Sequence, residues 1–387
     1  MILAQALARL ASPFGKGGMR GIFQTCLSAT TVEIPPSPPL QRGGAGLRDA
    51  YLIALSLLTL SLLAACGEKP AYKQQSFVFG TLVEVSVHGE DEAKAKAAVD
   101  HVLADFDAMH RQLHAWEPSD LERLNSAIAQ GRPGEARRIQ AAPGLTPLLE
   151  DAARHSAQGD DLFNPAIGNL IRLWGFHSDT FEPRLPPAAE VERLVKARPS
   201  LADLKFEGDT VVSSNPAVRI DLGGYAKGLA LDRAAAYLHG QGVDNALVNI
   251  GGNIIALGRH GKRPWKIGIQ HPRKPGALAM LELRDGEAIG TSGDYQRYFE
   301  VDGQRYCHLI DPRTGWPARS AQAVTVLTHG RQAGVRSDVA SKPIFIAGAA
   351  GWRGMASRMN VDDVLFIDAE GRIQITASLA SRLEWVA

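Results

Sequence analysis

Apolar and polar positions change rhythm several times along the chain, and each rhythm predicts an element. Ser76 to His88 (SFVFGTLVEVSVH) is rich in β-branched residues and partly alternates, which predicts a strand. Glu92 to Trp116 carries Val99, Leu103, Phe106 and Leu113 at helical spacing, so these side chains share one face. Pro147 to Gln158 and Ile167 to Trp174 predict two more helical pieces, and Leu185 to Ala197 a polar surface helix flanked by prolines. In the centre, Val211 to Leu222 predicts a hairpin pair around Ser214-Asn215-Pro216, after which Gly223-Gly224 open an Ala-rich helix ending near Gly240. From Ala246 to Val301 short β-rich runs are punctuated by Gly and Asn. Val324 to Thr328 predicts another strand, Val339 to Gly348 a helix, and Val364 to Ile375 a final hairpin turning at Glu370-Gly371. Helices and antiparallel-looking strands arranged in blocks predict an α+β fold rather than a doubly wound parallel sheet.

The N-terminal part has a different pattern. Tyr51 to Leu63 is an apolar run of thirteen residues, short of the roughly twenty that span a membrane. It fits the h-region of a secretory signal, and Ala64-Ala65-Cys66 follow it as the small residues and cysteine of a bacterial lipobox do. Residues 1–65 are therefore expected to be a leader, with the true start of the chain lying within them. Ile34 to Gly46 is Pro- and Gly-rich without periodicity, as in unstructured segments. Cys66 is the expected lipid attachment point, 66–75 a tether, and 76–387 a single domain. The expected location is the bacterial cell envelope, anchored by lipid and facing the periplasm.

Composition narrows the function. The 42 Lys+Arg and 41 Asp+Glu residues give no basic field, so nucleic acid is not an expected partner. Cys26, Cys66 and Cys307 offer no disulfide framework.

Four clusters are polar or glycine-rich where the surroundings predict core. Asp221-Leu222-Gly223-Gly224-Tyr225-Ala226-Lys227-Gly228 brings two glycines to a helix start with a lysine one turn inside, a pattern that suits phosphate, although a tight turn has the same look. Thr291-Ser292-Gly293-Asp294-Tyr295 gathers hydroxyls and a carboxylate in what reads as a turn. His308-Leu309-Ile310-Asp311-Pro312 sets a proton-exchanging side chain beside a proline-pinned turn. Asp338 and Lys342 would share a helix face, but Pro343 biases Lys342 away from helical angles.

Together with Phe79-Gly80-Thr81, Phe163 to Gly168, Leu173 to Phe176 and Asn249 to Asn253, these clusters resemble the ApbE family of FAD:protein FMN transferases. Their order and rough spacing match from about Phe79 to Gly348. The resemblance implies a T-fold-like α+β domain of mainly antiparallel sheets that moves FMN from FAD onto a Ser or Thr of an acceptor protein and releases AMP. Such an acceptor would be a subunit of a membrane redox complex. By position, Phe79, Trp116, Leu162, Phe163, Asn164, Asp221, Lys227, Ser292, Tyr295 and Ile310 would contact FAD, and His308, Asp311 and Thr291 would serve the reaction. In chemical terms His308 suits proton removal from the incoming hydroxyl.

Two positions depart from the family. Phe79 stands where Met is frequent. The family's metal site, a backbone carbonyl at Gly224, a carboxylate at Asp338 and a Thr four residues on, has Lys342 as its last member. An ammonium cannot ligate a metal, which leaves two arrangements: Lys342 turns away and magnesium still binds through Asp338, the Gly224 carbonyl and phosphate oxygens, or its ammonium partly replaces the metal on the same phosphates. The first is the expectation, since one ammonium supplies half the charge of magnesium and none of its ligand-orienting geometry. The same residues would also serve hydrolysis of FAD to FMN and AMP, or a flavin carrier without catalysis.

Overall fold

The computed structural model describes residues 71–386 apart from 179 and 181. Cys66, the leader and the first half of the expected tether lie outside the described residues. The described chain opens on a hairpin, β1 (Tyr72–Val78) and β2 (Thr81–Val87), where one strand from Ser76 was expected. Val78 pairs with Thr81, leaving Phe79 and Gly80 as a two-residue turn with φ of 56° and 68°. Two positive φ values match the twist of the strands, at a cost in strain for a residue as bulky as Phe79. β1 begins inside the expected tether because its alternating exposure is that of an edge strand.

Helix α1 (Glu92–Leu113) buries Val99, Leu103, Phe106 and Leu113 on one face, as their spacing requires. A second helix, α2 (Asp120–Ala129), starts at Ser119, whose hydroxyl accepts the Glu122 N–H at 2.8 Å. β3 (Arg137–Gln140), α3 (Leu145–Gln158), α4 (Gly168–Leu173) and α5 (Ala188–Lys196) follow. β4 (Leu204–Glu207) and β5 (Thr210–Ser213) then join β3 in a small antiparallel sheet of order β3-β5-β4.

The hairpin expected over Val211 to Leu222 does not form. β5 turns back on β4, and residues 219–221 instead run beside 165–168, with Arg219 N–H on the Ala166 carbonyl at 3.1 Å and Asp221 N–H on the Pro165 carbonyl at 2.8 Å. The Asn125 side chain takes both main-chain groups of Ile220, accepting from its N–H at 2.7 Å and donating to its carbonyl at 2.8 Å. A buried amide thus does what a strand partner would do.

After α6 (Ala226–Gly240) come β6 (Ala246–Ile250), β7 (Asn253–Leu257), β8 (Trp265–Gln270), β9 (Ala277–Leu283) and β10 (Glu287–Gly293). β11 (Tyr298–Val301) and β12 (Gln304–Cys307) form a hairpin, followed by β13 (Ala321–His329), α7 (Ala333–Arg358), β14 (Asp363–Asp368), β15 (Ile373–Ile375), α8 (Ala377–Ala380) and β16 (Leu383–Trp385). The main sheet has the order β1-β2-β6-β7-β10-β13-β14-β15, and every neighbouring pair is antiparallel. On one face Val85, Val248, Val324 and Val326 pack with Val99, Leu231 and Val339 of the helices. On the other, Ile254, Ile289, Leu327 and Leu365 pack with Ile267 and Leu281 of a three-stranded sheet β16-β9-β8. Burial on both faces explains why β13 is buried from Ala321 to Thr328 and lacks polar alternation. This is the expected α+β architecture.

α6 and α7 cross backbone to backbone. A Cβ on Gly228 would lie 2.5 Å from the Gly334 carbonyl oxygen, and one on Gly334 would lie 2.5 Å from that of Gly228. Only glycine at both positions permits the approach. Among the described residues no helix is long and apolar enough to cross a membrane.

Candidate active site

A cavity of about 740 Å³ opens where the β1–β2 turn, the end of α1, the start of α6, the end of β10 and the segment after β12 converge. That volume lies within the roughly 300–1,000 Å³ of small-molecule and cofactor sites. Phe79, Trp116, Leu162, Phe163 and Asn164 supply apolar and aromatic lining. Asp221, Gly224, Lys227 and Lys342 line it near the start of α6, and Thr291, Ser292, Tyr295, His308 and Ile310 line the remainder. Thr291 to Gly293 prolong β10, so only the residues after them form the turn expected there.

The start of α6 gathers charge: the Ala226 N–H is held by the Leu222 carbonyl at 2.8 Å and the Gly228 N–H by the Asp338 carboxylate at 2.9 Å. The residue before it, Tyr225, gives no side-chain cap, and Lys227 sits within the first turn. Burial lowers the Lys227 pKa, and the nearby Lys342 and Arg297 lower it further, against a rise from Asp338. Asp221 holds the preceding turn, its Oδ1 accepting the Gly223 N–H at 2.8 Å, and burial raises its pKa. Cations pressed together in a half-buried cavity favour a ligand that brings negative charge.

His308 stands among the same cations. Its Nδ1 lies 3.2 Å from the carbonyl oxygen of Arg297, which can only accept, so Nδ1 carries the proton and Nε2 keeps its lone pair. Burial, with Arg297, Lys227 and Lys342 close by, pushes its pKa down to about 3. The imidazole is therefore neutral at neutral pH and able to take a proton. The Phe176 ring meets it edge-on at 6.4 Å.

Lys342 does not turn away. α7 runs through Pro343, and Lys342 Nζ reaches back one turn to Asp338, 2.6 Å from Oδ1 and 2.6 Å from the backbone oxygen. The lost helical hydrogen bond at Pro343 is tolerated because this stretch is held by packing on β10 and β13. Asp338 Oδ2 accepts the Gly228 N–H at 2.9 Å. The lysine stem covers Gly224, where a Cβ would lie 2.7 Å from Lys342 Cε. This donor set does not fit a divalent cation: both carboxylate oxygens are engaged, a cationic nitrogen replaces the third oxygen donor, and its stem lies against Gly224. Among the described residues no group of three or more His, Cys, Asp or Glu gathers elsewhere to hold a metal ion.

The family model of the ApbE family matches residues 79–366. The chain belongs to the ApbE family. An FAD:protein FMN transferase of Rhodobacter capsulatus is 41% identical over 346 residues, covering 88% of this chain and 65% of that protein's own length. One from Klebsiella pneumoniae is 35% identical over 267 residues, covering 68% of this chain and 79% of that protein. Among solved structures, the ApbE protein of Thermotoga maritima superposes with a TM-score of 0.72 at 29% identity, covering 81% of this chain and 99% of that one.

Besides Lys342, a second expected site residue stands elsewhere in the structure. Asp311 is not among the residues lining the cavity. Its carboxylate accepts from Arg313, at 2.9 Å from the backbone N–H and 2.7 Å from Nη2, and its main chain closes the turn to Trp316. It lies beside a separate groove with Arg313 and Trp316. Asp311 is thus a positioning residue that holds the turn after Ile310. Arg297 and His114, by contrast, were not singled out and do line the cavity. Arg297 lies inside the matched stretch TSGDYQRYF, and its guanidinium donates to the carbonyls of Phe176 and Ser178 at 3.0 and 3.1 Å. His114 accepts the Glu117 N–H on Nδ1 at 2.9 Å and so shapes the turn carrying Trp116, over which Arg219 lies at 4.7 Å.

Proposed function

We propose that this chain binds FAD in the cavity and transfers its FMN part to a Ser or Thr hydroxyl of an acceptor protein. The observation that carries the reading is the neutral His308 set among Lys227, Lys342 and Arg297 in a cofactor-sized cavity. The family and the names of its relatives support it.

The acceptor oxygen attacks the flavin-side phosphorus, and its proton passes to His308 Nε2. The new O–P bond forms as the anhydride P–O bond breaks, and AMP leaves with the bonding electron pair. Phosphoryl transfer of this kind depends chiefly on positioning and on charge balance at the leaving oxygen. Lys227, Lys342 and Arg297 supply that balance. Phosphate charge also offsets the cations that depress His308, so its basicity rises when FAD is in place. Phe79, Trp116 and Phe163 offer apolar surface for the isoalloxazine, with the Phe79 ring held at the cavity wall by Phe106 and His110 at 6.1 and 5.6 Å.

The chain's place is the bacterial cell envelope, anchored through a lipid on Cys66 and facing the periplasm, and the acceptor is a subunit of a membrane redox complex. The Ala64-Ala65-Cys66 pattern behind an apolar run supports the anchor. Cys66→Ser should free the protein from membranes, and membrane retention of that variant would count against it.

Weighing the acceptor tests the activity. After incubation with FAD it should gain the mass of FMN less one water, with AMP released in equal amount. AMP and free FMN from an unmodified acceptor would make the protein a hydrolase, and FAD bound but intact would make it a carrier.

A further inference from the structure

We propose that the Lys342 ammonium is the resident counter-charge of this site, so that FAD binds and reacts here without a divalent cation at Asp338. The inference rests on the FMN-transferase reading and specifies how that site balances the pyrophosphate.

The ion pair is built in rather than incidental. The Asp338 side chain is 2% exposed and that of Lys342 14%, so neither is a freely solvated surface charge. Asp338 Oδ1 is taken by Lys342 and Oδ2 by Gly228. An ammonium has three N–H donors. Two go to Asp338, one to Oδ1 and one to the backbone oxygen, which leaves the third for a phosphate oxygen at the cavity wall. Ser341 cannot stand in as the missing oxygen ligand, because its hydroxyl donates to the Asp338 carbonyl at 2.8 Å and lies 2.7 Å from the Ser292 hydroxyl.

Magnesium would have to evict this arrangement. It demands near-octahedral oxygen donors at roughly 2.0–2.1 Å, and position 342 offers a nitrogen that already bears positive charge. The end of the lysine stem lies against Gly224 while its ammonium holds Asp338 Oδ1 at 2.6 Å, so one side chain touches both positions. With Lys227 and Arg297 on the same cavity, three side-chain cations surround the phosphate position. In the transfer step they oppose the charge that gathers on the departing AMP oxygen, while the proton goes to His308 as before.

The test uses the full chain stripped of metals with EDTA, titrated with FAD in EDTA and again in excess magnesium chloride. Wild type should bind FAD with a dissociation constant that changes less than about twofold between the two conditions. Lys342→Thr should lose about tenfold or more in EDTA, the scale of a lost charge-assisted hydrogen bond, and regain it with magnesium. Lys342→Met, which keeps the stem without the charge, should lose affinity in both conditions and serves if the Thr variant does not fold. Titration with magnesium chloride alone should give no binding to wild type. Wild-type affinity that rises tenfold or more with magnesium would overturn the inference and leave the transferase reading standing. Wild type that binds no FAD in either condition would remove the transferase reading itself.

Discussion

His308 Nδ1 is turned toward the carbonyl oxygen of Arg297 at 3.2 Å, and that contact settles which imidazole nitrogen holds the proton. With Nδ1 protonated, Nε2 is the base. His308→Asn should keep FAD affinity and lower FMN transfer by about 10²-fold or more, the usual scale for a lost general base. Single-turnover transfer at saturating FAD separates this from a binding defect, and an unchanged rate would make His308 structural.

The same residue makes the fold acid-sensitive over a defined window. Its folded pKa of about 3 lies below the unfolded value of about 6.5. Between those values the unfolded chain binds more protons, so stability rises with pH. The contribution is complete above about 6.5 and is lost as pH falls toward 3. Urea denaturation at pH 7 and pH 5 should show a smaller loss in His308→Asn than in wild type.

Lys227 meets the ligand through charge. Lys227→Ala should weaken FAD binding by about 1–3 kcal/mol, as for a charge-assisted hydrogen bond. Burial first, and then Lys342 and Arg297, depress its pKa in the free protein, so phosphate charge brought by FAD should draw in protons at alkaline pH. Calorimetry in buffers of different ionisation enthalpy measures that uptake, and identical heats in every buffer would speak against it.

Asp311 acts on the turn and not on the substrate. Asp311→Asn should leave the transfer rate within about threefold of wild type while lowering the melting temperature, since the charge pairing with Arg313 is lost. A fall in rate of about 10²-fold would return Asp311 to the catalytic group.

Asn125 is far from Ile220 in sequence, yet it carries both of that residue's main-chain hydrogen bonds. Asn125→Ala should cost about 3 kcal/mol by leaving a buried N–H and C=O unpaired. It should also loosen the segment that leads to Asp221 and weaken FAD binding, which denaturation and titration on one preparation would reveal together.

What the sequence showed of the site follows from where its parts lie along the chain. DLGGYAKG and TSGDY each bring several residues to the cavity from one short stretch, among them Asp221, Gly224 and Lys227 from the first and Thr291, Ser292 and Tyr295 from the second, while Asp294 pairs with Arg273 instead. Asp311 lies on a separate groove although Ile310 lines the cavity, because neighbouring residues in a turn point in different directions and adjacency carries no information about facing. Lys342 stays on the helix face of Asp338 because packing on β10 and β13 holds the helix through Pro343, and it turns toward Asp338 because the buried carboxylate is paired by the ammonium itself, which the family's metal pattern does not indicate. The β1–β2 turn was hidden by the apolar run around it, with Gly80 the only punctuation. α2 carries a start signal in its sequence, Ser119 followed three residues on by Glu122. The Asn125 bridge left no local trace at all, since neither partner's neighbourhood hints at the other.

The glycine crossing of α6 and α7 has a consequence for how such a protein diverges. With Gly228 against Gly334 the two helices have no room to slide, so Asp338 keeps its station over Gly228 whatever stands at position 342. Residue 342 behaves as an exchangeable fitting on a rigid mount, where Lys and Thr are alternatives that ask nothing of the backbone. On the inference drawn above, the choice between a resident ammonium and a bound cation then rests on the side chain at 342 alone, on a backbone that the glycine crossing holds in place.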